Sequence, residues 1–213
     1  MCAIQEPLIQ AVYGESGVRL SIIVPVLDEA ALAYAQLRLM APLRRCGVEV
    51  IAVVGGSVDD AAAISRRFAS RVIRVPDSRA RQINVAAAFA CGEVLLILDH
   101  GVVLPGLADQ LIEQAMYDSG AEWGWLDVRL CGGLLRRLQS VWLSWRSPWQ
   151  LTDHHPLFVS RSVFLATGGV PEDARCAPSA LSVRYREAGL RSVRIRPPAL
   201  VGRAPHVRGS MER

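Results

Sequence analysis

Two periodicities alternate along the first half of the chain. Four short runs rich in Val, Ile and Leu predict buried strands. They lie at 20–27, 48–54, 71–75 and 93–98. Apolar residues at helical spacing predict four helices in the same half. They lie at 31–46, 59–69, 79–90 and 105–117, the last with a proline at its start. Strands with near-continuous apolar runs that alternate with helices indicate an α/β fold, with a mostly parallel sheet flanked by helices.

The pattern changes after Ser119, where shorter and more polar segments begin. Apolar and polar residues alternate over 122–130, as in a strand with one solvent-exposed face. The apolar residues of 134–149 have the spacing of an amphipathic helix. A strand with a short helix, a longer helix and a final strand follow. They lie at 156–169, 181–189 and 192–199. Because no linker or repeat interrupts the chain, we expect a single domain over 20–208, an N-terminal extension over 1–19 and a C-terminal tail over 209–213.

Composition excludes several functions and suggests a compartment. All 24 basic residues are arginine, so a lysine Schiff base and a P-loop lysine are excluded. Eight arginines lie between Arg184 and Arg213, and they suit either a phosphate or acidic partner or a solvated tail. The five cysteines are widely spaced, which favours reduced thiols. The first residues lack a signal-peptide pattern, so we expect a cytoplasmic protein, with contact to the inner face of the membrane left open.

Polar residues collect where the predicted strands end. The stretch EVLLILDHGVVLP places Asp99 and His100 directly after the fourth strand. Parallel strands joined by right-handed crossovers bring their carboxyl ends to one edge, which is where ligands bind in open α/β sheets. That edge should also collect polar or glycine residues after the first and second strands. These are Asp28, Glu29, Gly55, Gly56, Ser57 and Asp59.

Four segments, in this order, resemble glycosyltransferase family 2, whose members have a nucleotide-sugar-binding GT-A fold. They are SIIVPVLDEA, VVGGSVDD, RARQINVAAAFACGEVLLIL and FVSRSVFLATGGVP. The third segment is similar to the Arg-x-Arg-Gln-x-Asn helix of the small bacterial transferases associated with radical enzymes and selenium-domain proteins, also called arsenosugar-biosynthesis transferases. The resemblance runs from about Leu20 to Arg208 and implies hexosyl transfer from a nucleotide-activated sugar.

The resemblance implies a set of nucleotide-sugar-binding residues. They are Pro25, Asp28, Glu29, Gly55, Gly56, Ser57, Arg81 and Asp99. The glycines, Ser57 and Asp59 are equally typical of turns and helix caps. Val54 stands where the family has an aspartate that recognises the base. Two arginines at i and i+2, Arg79 and Arg81, do not share one helix face, so one is expected to bind the diphosphate and the other to be solvated.

The family also holds a divalent metal after its fourth strand. Its last aspartate in that motif is replaced here by Gly101, so Asp99, His100 and His154 are the candidate ligands for Mn²⁺ or Mg²⁺. The segment TDHHP offers Asp153 and His155 beside His154. These residues are also typical of a polar loop.

The family's Glu-Asp pair, which contains the catalytic base, aligns with Ala177 and Pro178. Weak candidates for a substitute base are Asp99, Glu172 and Asp173. Two hypotheses stay open. The chain is a transferase with a rebuilt site, or it is a catalytically inactive binding or partner protein. In the second case a stripe of three tryptophans would dock a protein or a membrane edge. The stripe is Trp142, Trp145 and Trp149. No nucleic-acid-binding motif is present.

Overall fold

The computed structural model describes residues 19–26, 30–55, 59–99, 101–130 and 151–201. Eight strands lie within these ranges. They are β1 (Leu20–Val26), β2 (Glu49–Val54), β3 (Arg71–Arg74), β4 (Val94–Ile97), β5 (Val102–Val103), β6 (Trp123–Leu130), β7 (Leu157–Ser160) and β8 (Ser192–Val201). The same ranges contain seven helices. They are α1 (Ala30–Leu39), α2 (Ala41–Arg45), α3 (Asp59–Phe68), α4 (Arg79–Phe89), α5 (Ala108–Ser119), α6 (Arg161–Ala166) and α7 (Ala177–Glu187).

All the described strands join one sheet in the order β3-β2-β1-β4-β7-β6-β8-β5. Strands β1 to β4 are parallel to one another, and β6 and β8 are parallel to each other. β7 pairs antiparallel with both β4 and β6, and β5 pairs antiparallel with β8, so β5 and β7 run against the other strands. The predicted α/β sheet, mostly parallel and flanked by helices, is confirmed.

Each face of the sheet has its own apolar core, because successive strand residues point to opposite faces. On one face Ile22 of β1 belongs to a cluster with Leu37 of α1 and Ile112 of α5. On the other face Ile23 belongs to a cluster with Ile83 of α4 and Tyr185 of α7. Every residue of β1 is buried, which explains its near-continuous apolar sequence.

Three boundaries differ from the sequence prediction, each at a proline. The helix predicted over 31–46 is divided into α1 and α2, with Pro42 in the first turn of α2. Helix α5 begins at Ala108 rather than at Pro105, after Leu107 in a left-handed conformation with φ of 58°. Helix α7 begins at Ala177, four residues before the predicted start at Leu181, with Pro178 in its first turn.

Two features of the sheet edge were not predicted. Strand β5 has only two residues, which is too short for a periodic pattern. Strand β8 continues to Val201, two residues beyond its predicted end, and its register with β6 shifts between Leu126 and Val128, opposite Pro197 and Pro198. Prolines lack the N–H needed for a regular ladder, and the irregularity accommodates them. The predicted helix over 134–149, residues 1–18 and residues 202–213 lie outside the described part of the chain.

Candidate functional site

The candidate site is built around Asp99, which follows β4 at the carboxyl edge of the parallel strands. Its side chain is 2% exposed, so its charge needs a nearby cation or donor. Arg79, the first residue of α4, supplies the cation, because its Nη1 lies 2.8 Å from Oδ1 of Asp99. The site predicted from the end of β4 therefore contains a nearly buried carboxylate–guanidinium pair.

Helix α4 places Arg79 at this edge because a serine cap fixes its first turn. The Ser78 hydroxyl oxygen accepts a hydrogen bond from the backbone N–H of Arg81 at 3.3 Å. The Arg79 side chain is 26% exposed. Its Nε–H is buried and has no hydrogen-bond partner among the residues that the structure describes. Arg79 can therefore donate to a further group while its Nη1 remains on Asp99.

The turn before β7 covers the other side of Asp99. Nδ1 of His154 lies 3.5 Å from Oδ2 of Asp99, and it makes no hydrogen bond to any residue that the structure describes. In the preceding residue of the turn, Oδ1 of Asp153 is buried without a partner in the described ranges. The thiol of Cys176 lies 3.8 Å from the Leu151 carbonyl oxygen, so the turn also contacts the start of α7.

The electrostatics of Cys176 show how closely these groups are placed. Burial, together with the negative charge of Asp153, which accepts a hydrogen bond from the thiol, raises the pKa of Cys176 to about 11. The positive charge of Arg79 acts in the opposite direction. Asp153, Arg79 and the residue that caps α7 therefore form one cluster with Asp99.

The first turn of α7 contributes no carboxylate to this cluster. Ala177 and Pro178 are both buried there. The two candidate substitutes lie in the preceding loop, where Asp173 is exposed and the Glu172 side chain is 74% exposed. Oε1 of Glu172 lies 3.4 Å from Nη1 of Arg81. The loop therefore directs Glu172 to an exposed arginine.

The two arginines of α4 have different environments. Nε of Arg81 lies 3.0 Å from Oδ2 of Asp77, and the Arg81 side chain is 55% exposed. Arg79, by contrast, is the arginine beside Asp99. Ligand contact by Arg81 stays a prediction, and the described geometry favours Arg79 for an anion at this edge.

A second residue of α4, Gln82, holds the loop after β3 and lies against the loop after β2. Nε2 of Gln82 donates to the carbonyl oxygens of Val75 and Asp77, both at 3.2 Å. A Cβ atom on Gly55 would meet that Nε2 at 2.5 Å, so a larger residue there would have to displace the Gln82 side chain. Pro25 is a buried residue within β1, paired in register with Val53. The remaining predicted nucleotide-sugar residues lie outside the described ranges. They are Asp28, Glu29, Gly56 and Ser57.

The asparagine of α4 has a structural role that the sequence did not reveal. Nδ2 of Asn84 donates to the Val170 carbonyl oxygen, and Oδ1 accepts from the Val170 N–H, both at 2.8 Å. The preceding Gly169 has a φ of 67°, and a Cβ there would collide with Oδ1 of Asn84. Nη1 of Arg184 donates to the Gly169 carbonyl oxygen at 2.6 Å. Asn84 therefore anchors the glycine turn that precedes the loop carrying Glu172.

The described residues do not fit a divalent metal. No group of three or more His, Cys, Asp or Glu side chains with metal-binding geometry occurs in the described ranges, which exclude His100. Of the two carboxylates in the cluster, Asp99 already carries the guanidinium of Arg79 and Asp153 accepts from the thiol of Cys176, while His154 adds one imidazole. Gly101 has no side chain to add. Its N–H instead donates to Oε1 of the buried Gln36 at 3.0 Å, a contact that the sequence did not suggest.

His155, the next residue of the turn, has Thr152 and Asp127 in its environment. The Thr152 N–H donates to Nδ1 of His155 at 3.0 Å, so this nitrogen carries no proton. Burial lowers the pKa of His155 below its ordinary value of 6.5, although the negative charge of Asp127 opposes the shift. Asp127 is itself bound by Arg194, with distances of 2.6 and 3.0 Å. His155 is therefore a neutral, structural histidine near neutral pH.

Comparisons with solved structures identify the fold. A mannosyltransferase from Pyrobaculum calidifontis, in complex with GDP-Man and Mn²⁺, matches with a TM-score of 0.64, 22% sequence identity and 92% of this chain covered. Glucosyl-3-phosphoglycerate synthase from Mycobacterium tuberculosis matches with a TM-score of 0.60, 18% identity and 92% coverage. Mannosyl-3-phosphoglycerate synthase from Rubrobacter xylanophilus matches with a TM-score of 0.62, 12% identity and 92% coverage. The chain has the GT-A fold of such transferases.

The matches with known proteins concern the fold. The chain spans 59% of the mannosyltransferase, 72% of the glucosyl and 70% of the mannosyl synthase. No protein-family profile matches the sequence. No curated protein matches it significantly.

Two predictions concern membrane contact. Within the described ranges, no helix combines the length and the apolar character needed to cross a membrane. The tryptophan stripe lies outside these ranges, so docking through it stays a prediction. Its residues are Trp142, Trp145 and Trp149.

Proposed function

We propose that this chain binds a nucleotide-activated sugar at the carboxyl edge of its parallel strands and transfers the sugar to an acceptor hydroxyl. We further propose that it belongs to the small bacterial branch of glycosyltransferase family 2 that its sequence resembles. The observation that carries the proposal is the Arg79–Asp99 pair, which lies at the ligand-binding edge of a GT-A fold. Neighbours of the same fold have been solved with GDP-Man or with UDP, which supports a nucleotide donor.

The chemistry requires a cationic site and a proton acceptor. In the transfer, the acceptor oxygen forms a bond to the anomeric carbon while the bond from that carbon to the diphosphate oxygen breaks. The nucleoside diphosphate leaves as an anion, which the guanidinium of Arg79 can stabilise. The acceptor hydroxyl loses its proton to a carboxylate. Because the described residues do not fit a metal, no step is assigned to Mn²⁺ or Mg²⁺, and the binding assay tests both ions.

We assign the proton-accepting role to Asp153. Its buried Oδ1 has no partner in the described ranges, and its charge acts on the cap residue of α7. A base at this position would replace the carboxylate that Ala177 and Pro178 lack. The weak candidates fit less well, because Asp99 is paired with Arg79, and Glu172 and Asp173 are exposed.

The second candidate function is nucleotide-sugar binding without transfer. The observation that favours it is the first turn of α7, where two buried apolar residues leave no carboxylate. Such a protein would use the same donor site and differ only in turnover. Donor binding and catalysis therefore need separate tests.

Donor binding is tested first by thermal unfolding of the full chain with nucleoside diphosphates and nucleotide sugars. A ligand that binds the folded state raises the melting temperature, by about 2.7 kcal/mol of added stability at 100 times its Kd. Each ligand is measured with EDTA, with Mn²⁺ and with Mg²⁺. A shift for one base and one sugar supports the proposal. No shift at millimolar concentration with any ligand would contradict both candidate functions.

Turnover is tested by release of nucleoside diphosphate from the donor that binds. Asp153→Asn should lower kcat by about 10²- to 10⁴-fold with an unchanged KM for the donor. Asp118→Asn is the matched control, since Asp118 is an exposed residue of α5 that binds Gln114. Unchanged kcat in Asp153→Asn would remove Asp153 from the mechanism. Donor binding without turnover in the wild type would establish the second candidate.

A further inference from the structure

The unusual feature of the site is that the Asp99 carboxylate binds the guanidinium of Arg79, where a metal-binding carboxylate would bind an ion. Nη1 of Arg79 lies 2.8 Å from a carboxylate that is almost fully buried. A divalent ion that binds Asp99 would have to displace this guanidinium or lie beside it, and like charges at such distances repel strongly in a buried site. The Arg79–Asp99 pair therefore opposes metal binding, and the guanidinium supplies the positive charge that a metal ion would otherwise supply.

The described residues around Asp99 add one further carboxylate, Asp153, whose negative charge acts on the Cys176 thiol. Gly101, Ala177 and Pro178 are all uncharged, and the last two begin α7, whose N-terminus carries a partial positive charge. Asp99 is balanced by Arg79, and His154 contributes an imidazole. Hard divalent cations are held by several oxygen ligands, and no group of three or more His, Cys, Asp or Glu side chains in the described ranges is placed to hold one.

Arg79 also has a donor that no described residue accepts from. Its Nε–H is buried and lacks an acceptor in the described part of the chain, and buried donors are nearly always hydrogen-bonded in native proteins. An arginine can hold a carboxylate through one edge and a phosphate oxygen through another, because its N–H groups form a rigid planar fork. The Nε–H of a guanidinium that Asp99 already holds in place is a suitable donor for an incoming phosphate oxygen.

We infer that this site binds the diphosphate of its nucleotide without a divalent cation, with Arg79 in place of the metal. Nη1 of Arg79 stays on Asp99, and Nε donates to a phosphate oxygen. This inference rests on the proposed donor site and deepens it. It separates this chain from the mannosyltransferase that was solved with Mn²⁺.

The test is calorimetric titration of the full chain with UDP and GDP, once in EDTA and once in Mn²⁺. The expected Kd values differ by less than about threefold between the two conditions, whereas a metal-bridged diphosphate would lose most of its affinity in EDTA. Binding that appears only with Mn²⁺ would overturn the inference and leave the proposed function intact. No binding in either condition would overturn the proposed function itself.

Variants locate the effect on Arg79. Arg79→Gln should weaken binding in EDTA by about tenfold or more, the usual effect of losing a charged hydrogen bond. Arg66→Gln removes the same charge from the exposed last turn of α3, at the opposite edge of the sheet, and should leave the Kd unchanged. A loss in Arg81→Gln that equals or exceeds the loss in Arg79→Gln would overturn the assignment. If Arg79→Gln fails to fold, Arg79→Lys replaces it, and the EDTA comparison on the wild type still decides the question.

Discussion

The Arg79–Asp99 pair should couple the stability of the fold to the chemistry of the site. In Arg79→Gln the carboxylate of Asp99, whose side chain is 2% exposed, loses the guanidinium 2.8 Å away. Removing one partner of a buried ion pair costs about 3–5 kcal/mol. Because the Arg79 side chain is 26% exposed and water relieves part of that cost, we expect about 2–3 kcal/mol here.

The magnitude is tested with a double-mutant cycle. Asp99→Asn alone leaves Arg79 without its carboxylate, and the double variant removes both charges at once. The double variant should therefore be more stable than the sum of the single losses predicts, by about 1–2 kcal/mol. Urea unfolding gives each free energy, and thermal unfolding should show a fall of about 4–12 °C for Arg79→Gln.

Additive single and double losses, within about 0.5 kcal/mol, would refute this reasoning. They would show that the carboxylate does not depend on the guanidinium for its burial. Equal urea m-values in all four proteins are the control, since a changed m-value would signal a change in the unfolded or native state rather than in the pair.

Three further predictions depend on the surroundings of one residue each. Asn84→Ala should lower the unfolding free energy by about 2–3 kcal/mol, measured in urea, because both Val170 hydrogen bonds are lost; a loss below about 0.5 kcal/mol would contradict the anchoring role. The pKa of His155 is lowered by burial, so the unfolded chain binds more protons, and stability should fall as the pH drops below 6.5. His155→Gln should flatten that dependence, and an unchanged pH profile would be the contrary result. Cys176, with its pKa of about 11, should resist iodoacetamide at pH 8 while exposed Cys46 reacts, as followed by mass spectrometry.

Local periodicity predicts most of this fold because β1, β2 and β4 are buried on both faces. Successive apolar side chains of 20–26 and 49–54 enter the two cores in turn. The sequence of each strand is therefore a nearly continuous apolar run, which differs from the spaced apolar pattern of the helices. The boundaries of α2, α5 and α7 were less predictable. Prolines near these helix starts are compatible with a first turn, with a turn before the helix, or with a loop, and sequence alone does not choose between them.

The sequence predicted only those site residues whose place follows from the order of strands and helices along the chain. Asp99 follows a buried strand, so its place at the carboxyl edge follows from topology. Which arginine of α4 reaches Asp99 depends on how that helix is rotated about its axis. Arg79 rather than Arg81 is the one beside Asp99. The pairing of Asn84 with Val170 spans 86 residues, and no local pattern encodes it. The proximity of Asp153 to Cys176 is likewise a product of tertiary packing.

The central claim is that Arg79 receives the diphosphate, and its Nε–H reports this directly. In ¹⁵N-labelled protein the Nε–H signal of Arg79 is assigned by its loss in Arg79→Gln, and UDP or GDP is then titrated into the wild type in EDTA. The account predicts that this signal shifts progressively and saturates with the binding curve, because the buried donor gains a phosphate acceptor. An unchanged Arg79 Nε–H signal at saturating nucleotide, with other signals shifted, would contradict the account.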